Sequence, residues 1–522
     1  MTFVRDAFGF LRFAAGLKAF VNRPLSIGDT KALIRQGMQR RNEAFLRKIR
    51  RAVFENRKSP YSKLLRWAGC EPGDIAVLVR DEGLEGALRR LYDAGVYVTY
   101  DEFKGRAAAV RGSQRFAFRE TDFDNPLITP HFHSSSSGSR GRPTRVLIDL
   151  DHIAQSAPSW ALWFAAHDWL ERPLLFWTSA HTGIVNRQLI ATRIGRRYVR
   201  WFATVAGATL KDRLVAPTVH RVFRRATGCP KPEFVPLSEA GRIVDCLAGL
   251  VARGSWPCMV TSPSNAVRAS LSAQQRNVSL RGVTFLLGAE PLTAARKESI
   301  EAAGAAAVPT YGFSEGGNVG SQCPNAAAAD DVHVSLDAYA VIQRPVNGDD
   351  ADEARPLLLT ALRPACPKVL LNTEIGDSAV LETRHCGCLF DEVGYLQHLH
   401  TIRSFEKVTG FGVTFAGSDL IRVIEDVLPR EFGGGVTDYQ LIERQDARGL
   451  PRYTLLVSPS VGPVDERAVA TTFLEELARV RSHYRYMVNL WTQSDGILRV
   501  ERRQPVPTAG GKMLPFRTLG PQ

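Results

Sequence analysis

The sequence has few of the features that mark membrane-spanning and secreted proteins. No apolar run among its 522 residues reaches the about 20 residues that a membrane-spanning helix needs. Its eight cysteines are sparse for this length, and charges at Arg5, Asp6, Arg12 and Lys18 interrupt the apolar start, which argues against a cleavable secretion signal. We therefore expect reduced thiols and a cytoplasmic protein.

The first twenty residues have apolar side chains at near-helical spacing, at Phe3, Phe10, Phe13, Leu17 and Phe20. This spacing predicts a helix that packs one face against the protein core. A basic helix that lies on a membrane surface is the less favoured alternative, so membrane contact is not our main expectation.

The formal net charge is +14, but the arginines are spread along the chain and form no block interleaved with aromatic residues. No signature of a nucleic-acid-binding module is present, so we do not expect a nucleic-acid partner. A basic surface also suits anionic small molecules such as ATP and coenzyme A, or an acidic carrier protein. The sequence leaves the oligomeric state open.

The chain is too long for one ordinary core, so several domains are expected. Residues 1–105 read as mostly helical, and residues 151–310 alternate helical and strand-like segments, which predicts an α/β domain with mixed or parallel sheets. Short strand-like runs at 330–400 predict a β-rich subdomain. We therefore expect a large N-terminal domain at 1–402 and a small, mobile α+β lid domain at 403–522.

A serine- and glycine-rich stretch, SSSSGSRGRPTR at 134–145, separates two apolar strand-like segments. Small residues let backbone N–H groups approach an anion, while serine hydroxyls and arginines add donors and positive charge. The stretch lacks the Gly-Lys-Ser/Thr ending of a Walker loop, and no dinucleotide-binding fingerprint follows a strand. A flexible linker is the alternative, and these residues alone leave both interpretations open.

Two further polar motifs each follow a short apolar run, GAEP at 288–291 and TYGFSEG at 310–316. Open α/β sheets bind ligands at the carboxyl ends of their strands, where both motifs are expected. Tyr311 offers a flat face for a purine, and Glu315 offers a carboxylate for Mg²⁺. The alternatives are an aromatic side chain packed on the core and an acid in the first turn of a helix.

The motifs SSGSRGRPT, GAEPLT and YGFSE, in this order, resemble the adenylate-forming superfamily. The phosphate loop resembles that of the phenylacetate–CoA ligase-like branch, which also ends in Gly-x-Pro-Thr. The resemblance covers roughly residues 40–520 and includes EIGD at 374–377, similar to the family's ribose-binding motif, and Lys512, similar to its catalytic lysine.

The resemblance implies an acid–thiol ligase that uses ATP and Mg²⁺. A carboxylate, from an aromatic or apolar acid, attacks the ATP α-phosphorus and pyrophosphate leaves. Coenzyme A then takes the acyl group as a thioester and AMP is released. Two alternatives stay open, namely an adenylating ligase with another acceptor (a carrier-protein phosphopantetheine or an amine) and an inactive ATP-binding or membrane-associated scaffold.

The resemblance also implies roles for single residues. The catalytic residues would be Lys512 and Glu315, the latter through Mg²⁺. The residues implied to bind ATP or AMP are Ser136, Ser137, Gly138, Ser139, Arg140, Gly141, Gly288, Ala289, Glu290, Pro291, Tyr311, Gly312, Ser314, Asp377 and Arg403. Arg403-Ser404 followed by Gly412-Val413 resembles the family's hinge motif before the small C-terminal domain. Two positions depart from the family pattern, because Arg140 stands where relatives often have Thr and Phe405 stands where this hinge usually has an acid.

A cysteine- and histidine-containing set predicts a metal site at Cys323, His333, Cys386 and Cys388. Thiolate and imidazole ligands favour zinc in a reduced compartment. Some relatives in the phenylacetate–CoA ligase-like branch, which this chain resembles, carry a similar cluster. The alternative is four unrelated residues with a turn at Gly387.

The stretch LFWTSAHTGIV at 175–185 mixes aromatic residues with a histidine. In the adenylate-forming superfamily, which this chain resembles, residues of this region often line the acyl pocket. Trp177 and His181 are therefore candidate pocket residues. A buried core strand is the alternative interpretation.

Overall fold

The structure is a computed structural model. It describes residues 12–13, 15–22, 24–129, 131–135, 145–178, 183–204, 223–345, 355–404, 408–410, 413–415, 417–445, 451–480, 498–508 and 511–518. The chain divides into two compact units. The first unit contains Met1–Phe176, Ala180–Phe234 and Val308–Ile402, and the second contains Trp177–Ser179, Val235–Ala307 and Arg403–Gln522.

Helices account for most of the described residues before 105 and for the segments between strands. In the first unit the α-helices are Ile27–Gln39, Arg41–Ile49, Pro60–Trp67, Pro72–Asp93, Tyr100–Phe103, Leu150–Ala166 and Gly183–Arg193. In the second they are Ala240–Ala252, Pro263–Gln275, Ala294–Glu301, Gly417–Arg422, Leu428–Phe432 and Glu466–Val480. Short π or 3-10 turns lie at Arg50–Phe54, Glu120–Phe123, Leu237–Glu239, Asp391–Val393, Val423–Val427 and Pro459–Val461. No helix of the described ranges is long and apolar enough to cross a lipid bilayer.

The strands are numbered in chain order. They are β1 (Ala109–Arg111), β2 (Gln114–Phe116), β3 (Phe132–Ser135), β4 (Arg145–Ile148), β5 (Leu174–Thr178), β6 (Tyr198–Ala203), β7 (Pro232–Phe234), β8 (Cys258–Thr261), β9 (Thr284–Leu287), β10 (Ala306–Phe313), β11 (Gly317–Ser321), β12 (Val332–Val334), β13 (Tyr339–Gln343), β14 (Arg355–Ala361), β15 (Thr373–Thr383), β16 (Gln397–Ser404), β17 (Val408–Gly410), β18 (Val413–Phe415), β19 (Tyr439–Gln445), β20 (Pro451–Val457), β21 (Leu498–Arg502) and β22 (Phe516–Thr518).

Antiparallel pairing dominates the sheet of the first unit, whose strands lie in the order β13–β14–β15–β16–β12–β11–β10. Strands β13 and β14 pair over five residues, with Tyr339 opposite Ala361. Strands β10 and β11 form a hairpin with Tyr311 opposite Gly320, and its register shifts after Tyr311. Most β14 side chains are buried, as expected of a strand covered on both faces.

The second unit contains a parallel strand pair and a small sheet. Strands β8 and β9 are parallel, with Thr261 opposite Leu287. The small sheet has the order β21–β20–β19–β22, with β19 and β20 antiparallel and the outer pairs parallel. Its core is apolar and comprises Leu420, Val423, Ile424, Val427, Leu428, Tyr439, Leu441, Tyr453, Leu455, Val457, Val469, Phe473, Leu477 and Phe516.

The predicted fold class is confirmed, because the chain is α/β with a large mixed sheet and a second, small sheet. The segment at 107–118 forms the hairpin β1–β2, in which Gly112 adopts φ 56° and allows a tight turn. One local expectation differs. The strand before the YGFSE motif continues through Phe313, so Tyr311 lies in β10 and not in a loop. The domain boundary at 403 stays a prediction.

Candidate functional site

The GAEP loop (residues 288–291) lies at the carboxyl end of β9, beside the end of β8. Gly288 donates its N–H to the Thr261 carbonyl at 3.3 Å, which joins the two strand ends. Ala289 is exposed and has φ 72°. Such a positive φ costs a residue other than glycine about 1–3 kcal/mol, so the backbone of the loop is strained at Ala289. The helices after β8 and after the loop begin at caps, where Ser262 and Thr293 accept backbone N–H groups.

Lys512 meets this loop although it lies more than two hundred residues later in the chain. Its Nζ donates to the carbonyl oxygen of Ala289 at 2.9 Å. Thr508 and Lys512, here together named the lysine turn, are joined by hydrogen bonds that hold the Lys512 backbone. The Lys512 N–H donates to the Thr508 hydroxyl at 3.0 Å, and the Thr508 N–H donates to the Lys512 carbonyl at 2.8 Å. The structure therefore brings the predicted catalytic lysine to the predicted nucleotide loop.

Glu290 behaves differently from its neighbours in the same motif. Its side chain is fully buried and pairs with Arg296 at 2.9 Å. Its carboxylate also accepts the Ser264 hydroxyl and the Ser264 backbone N–H. The Glu290 carboxylate therefore bonds to groups inside the protein, while Ala289 is the exposed residue of the motif.

Tyr311 and Asp377 come together from two strands of the first unit. The Tyr311 hydroxyl donates to Asp377 Oδ2 at 3.1 Å. Tyr311 is buried in β10, and Asp377 is half-buried in β15. Next to Tyr311, a Cβ atom on Gly312 would lie 2.4 Å from the Gly317 carbonyl oxygen, so this close approach requires glycine.

Glu315 lies in the turn between β10 and β11 and is buried, whereas Ser314 beside it is exposed. Its Oε1 pairs with Lys104 Nζ at 2.5 Å, and the two side chains are only 9% and 12% exposed. Lys104 also lies within 6 Å of the Tyr100 and Phe103 rings. The sequence interpretation missed Lys104, because a single lysine in the segment YDEFK belongs to no motif.

Four predicted metal ligands meet in the first unit. The ligand atoms of Cys323, His333, Cys386 and Cys388 all lie within 4.8 Å of one another. The Sγ atoms of Cys323 and Cys386 are 3.7 Å apart, and His333 Nε2 is 3.3 Å from the Sγ atoms of Cys386 and Cys388. Zn–S bonds of about 2.3 Å in a tetrahedron place two sulfurs about 3.75 Å apart. The donor set and its spacing therefore fit zinc.

Hydrogen bonds around this cluster orient its ligands. His333 Nδ1 lies 2.6 Å from the Tyr395 carbonyl oxygen, which leaves Nε2 directed at the sulfurs. The Asp391 carboxylate accepts the N–H groups of Cys386 and Gly387, each at 2.8 Å. Gly387 has φ 69°, which lets the chain turn between the two cysteines.

The cysteines of this cluster differ in acidity. A hydrogen bond from Cys323, together with His333, lowers the pKa of Cys388. Burial raises the pKa of Cys386. Cys388 is therefore the cysteine of this pair that ionises more readily, and a thiolate is the form of cysteine that binds metals.

Comparison with known proteins gives a fold. No protein-family model and no curated protein sequence matches the chain. Among solved structures, 2-hydroxyisobutyryl-CoA ligase in the postadenylation state, in complex with R3-HIB-AMP, matches with a TM-score of 0.54 and 15% identity over 95% of this chain and 90% of that chain. The chain has the fold of the adenylate-forming ligases. A second structure of that ligase, in complex with 2-HIB-AMP, gives a TM-score of 0.50 and 14% identity over the same shares of both chains.

Some of the predicted site residues lie outside the part of the chain that the structure describes. They are Ser136, Ser137, Gly138, Ser139, Arg140, Gly141 and His181. The flanks of the serine stretch are described, and β3 and β4 form an antiparallel hairpin with Ser135 opposite Arg145. Arg145 is paired with Asp124 at 2.8 Å.

Trp177 and Arg403 complete the set of predicted residues. The Trp177 side chain is fully buried, with its Nε1 3.5 Å from the Val235 carbonyl oxygen, so its burial favours the core interpretation over a pocket role. Arg403 follows a clamped segment, because the Asp330 carboxylate accepts the N–H groups of the two residues before it, at 2.9 and 2.7 Å. The first of these, Thr401, has φ 54°, a strained conformation for a β-branched residue.

Proposed function

We propose that this chain activates a carboxylic acid with ATP as an acyl-adenylate and then transfers the acyl group to coenzyme A, with release of AMP. The observation that carries the proposal is the contact of Lys512 Nζ with the Ala289 carbonyl at 2.9 Å. A lysine held at the proposed nucleotide-binding loop supplies the positive charge that acyl-adenylate formation needs. The fold of a CoA ligase that binds acyl-adenylates supports the same reaction.

In the first step an oxygen of the carboxylate attacks the α-phosphorus, a new O–P bond forms, and the bond to pyrophosphate breaks. No covalent nucleophile from the protein is needed, so catalysis consists of positioning and charge stabilisation. The Lys512 ammonium stabilises the negative charge that develops on the α-phosphate and the attacking oxygen. In the second step the coenzyme A thiolate attacks the acyl carbon and AMP leaves.

We assign the nucleoside to Tyr311 and Asp377. The Asp377 carboxylate accepts hydrogen bonds from the ribose hydroxyls, and the Tyr311 hydroxyl fixes that carboxylate at 3.1 Å. Gly312, beside Tyr311, is exposed and has no side chain, which leaves room there for a flat base. The serine stretch at 136–141 would bind the phosphates.

We assign Mg²⁺ to Glu315, which would hold the ion that neutralises the ATP phosphates. Lys104 already neutralises this carboxylate at 2.5 Å. Binding of Mg²⁺ to Glu315 Oε1 therefore requires that Lys104 moves away or bonds to a phosphate instead.

We assign a structural Zn²⁺ to Cys323, His333, Cys386 and Cys388. Four protein ligands leave no open position for a substrate, which is the pattern of a structural site. Zinc analysis of the purified protein tests this assignment. One equivalent is expected, and less than half an equivalent would contradict it.

We propose an aromatic or apolar acid as the substrate, because the phosphate-loop motif resembles that of the phenylacetate–CoA ligase-like branch. Pyrophosphate release is measured with a panel of such acids, with and without coenzyme A. The matched control for Lys512→Ala is Lys297→Ala, a lysine of the same unit that lies near Glu301 on a helix surface.

We expect acid-dependent release in the wild type and in Lys297→Ala, and its loss in Lys512→Ala. A product thioester in the presence of coenzyme A completes the proposed reaction. Acid-dependent release without thioester formation would instead indicate another acceptor, such as a carrier protein or an amine. No release with any acid would overturn the proposal.

A further inference from the structure

A buried polar network in the second unit also joins the GAEP loop to the lysine turn. The guanidinium of Arg296 is 2% exposed and pairs with Glu290 at 2.9 Å and with Glu425 at 2.8 Å. It also donates to the Met513 carbonyl at 2.8 Å. Burial alone would lower the pKa of Arg296, but the carboxylates of Glu425 and Glu290 outweigh it and raise this pKa. The guanidinium therefore stays charged in the interior.

Met513 follows Lys512 directly, and side chains from the 235–307 segment hold both of its backbone polar groups. Its N–H donates to the Ser264 hydroxyl at 3.1 Å. Its carbonyl accepts from Arg296 and lies 3.2 Å from the same hydroxyl. A buried backbone group that loses its hydrogen-bond partner destabilises the fold, so these contacts fix the backbone beside Lys512.

Glu290 connects the two groups that hold Met513. Its Oε2 accepts the Ser264 N–H at 3.2 Å, the Ser264 hydroxyl, and Arg296 at 2.9 Å. Glu290 is also the next residue after Ala289, whose carbonyl accepts the lysine. The buried Glu290 carboxylate thus anchors the loop that carries the Ala289 carbonyl, which accepts from Lys512. The same carboxylate binds Ser264 and Arg296, which hold the backbone at Met513.

We propose that Glu290, Ser264 and Arg296 are positioning residues that hold Lys512 at the GAEP loop during acyl-adenylate formation. This inference rests on the proposed function, since it assigns the residues that place its catalytic lysine. It also gives Glu290 a role different from direct contact with the nucleotide. A misplacement of about 1 Å in a catalytic group can cost about 100-fold in rate, so a network of this kind has a measurable effect.

Ser264→Ala is the sharpest test, because it removes the hydroxyl contacts with Met513 and Glu290 and keeps both ion pairs of Arg296. The matched control is Ser270→Ala, a fully buried serine of the same helix whose hydroxyl has no hydrogen-bond partner among the described residues. We expect Ser264→Ala to slow acyl-adenylate formation about 10- to 100-fold. Thioester formation from added acyl-adenylate should change less than threefold in both variants.

The Lys512→Ala background separates positioning from general damage. If Ser264 acts through Lys512, Ser264→Ala causes no further loss in that background. Equal slowing of both half-reactions, a full additional loss beside Lys512→Ala, or rates equal to those of Ser270→Ala would overturn the proposal. If Ser264→Ala does not fold, Arg296→Lys replaces it, because a lysine keeps the charge but cannot reach Glu290, Glu425 and Met513 together.

A chemical readout makes failure of this proposal distinct from failure of the proposed function. The rate at which N-hydroxysuccinimidyl acetate acetylates Lys512 is measured by mass spectrometry, with Lys297 of the same molecule as the internal reference. We expect Ser264→Ala to raise the relative rate at Lys512 at least threefold and Ser270→Ala to leave it unchanged. An unchanged rate in Ser264→Ala overturns the positioning role, even if the wild type activates no acid.

Discussion

The ion pair between Lys104 and Glu315 gives the prediction that depends most directly on the structure. Their Nζ and Oε1 atoms are 2.5 Å apart, and both side chains are largely buried. If Glu315 binds Mg²⁺, the ion and the Lys104 ammonium compete for one carboxylate. Lys104→Met removes the competitor and keeps an apolar stem of similar length beside the Tyr100 and Phe103 rings.

The size of the effect follows from the energy of the pair. Two unit charges at this distance attract by about 7 kcal/mol at an effective dielectric constant of about 20, and desolvation cancels much of this. A net contribution of about 2 kcal/mol is typical of a hydrogen bond to a charged group. Loss of that competition corresponds to about 30-fold, since 1.36 kcal/mol is tenfold. We therefore expect Lys104→Met to lower the Mg²⁺ concentration for half-maximal pyrophosphate release by about 30-fold.

The assay is a magnesium titration of acid-dependent pyrophosphate release at saturating ATP. The control is Lys63→Met, which removes an equal charge from an exposed lysine over the Phe118 ring. An unchanged half-maximal Mg²⁺ concentration in Lys104→Met, or the same shift in Lys63→Met, would refute competition at Glu315.

Three further predictions concern other parts of the molecule. Cys388→Ser should reduce bound zinc below half an equivalent in metal analysis and lower the melting temperature in calorimetry. The control Cys70→Ser should change neither, and retained zinc in Cys388→Ser would contradict the ligand assignment. Ala289→Gly should leave the free energy of unfolding, measured in urea, equal or up to about 1 kcal/mol higher, because glycine tolerates a positive φ. A clear decrease in this free energy would contradict backbone strain at Ala289. Tyr311→Phe should raise the KM for ATP about 3- to 10-fold with little change in kcat, because it removes the hydroxyl that bonds to the Asp377 carboxylate. An unchanged KM would argue against the ribose assignment.

The sequence predicts those parts of the site that local motifs encode. The GAEP loop and Lys512 could be assigned because both belong to short motifs, and the structure brings them within hydrogen-bonding distance. The four cysteine and histidine ligands could be grouped because few residue types bind zinc, and their ligand atoms do converge. The alternating helices and strands at 151–310 follow from hydrophobic periodicity.

Other features depend on contacts between distant segments and leave no local signal. Lys104 lies 211 positions before Glu315, and nothing in its neighbours indicates the ion pair. The burial of Glu290 depends on Arg296 and Ser264, although its motif suggests an exposed ligand residue. Trp177 shows the same limit, because its sequence context fits a pocket and a core strand equally well and only packing distinguishes them.

The central claim is that this chain makes acyl-adenylates with Lys512 as the catalytic group. The most direct measurement detects the enzyme-bound acyl-adenylate by mass spectrometry after the wild type and Lys512→Ala are incubated with ATP, Mg²⁺ and an acid panel without coenzyme A. We predict an acyl-adenylate of the expected mass for at least one acid with the wild type, and at least a 100-fold lower rate of its formation with Lys512→Ala, as loss of a key electrostatic contact costs about 100- to 1,000-fold. Absence of any acyl-adenylate in the wild type, or equal rates in both proteins, would contradict the account.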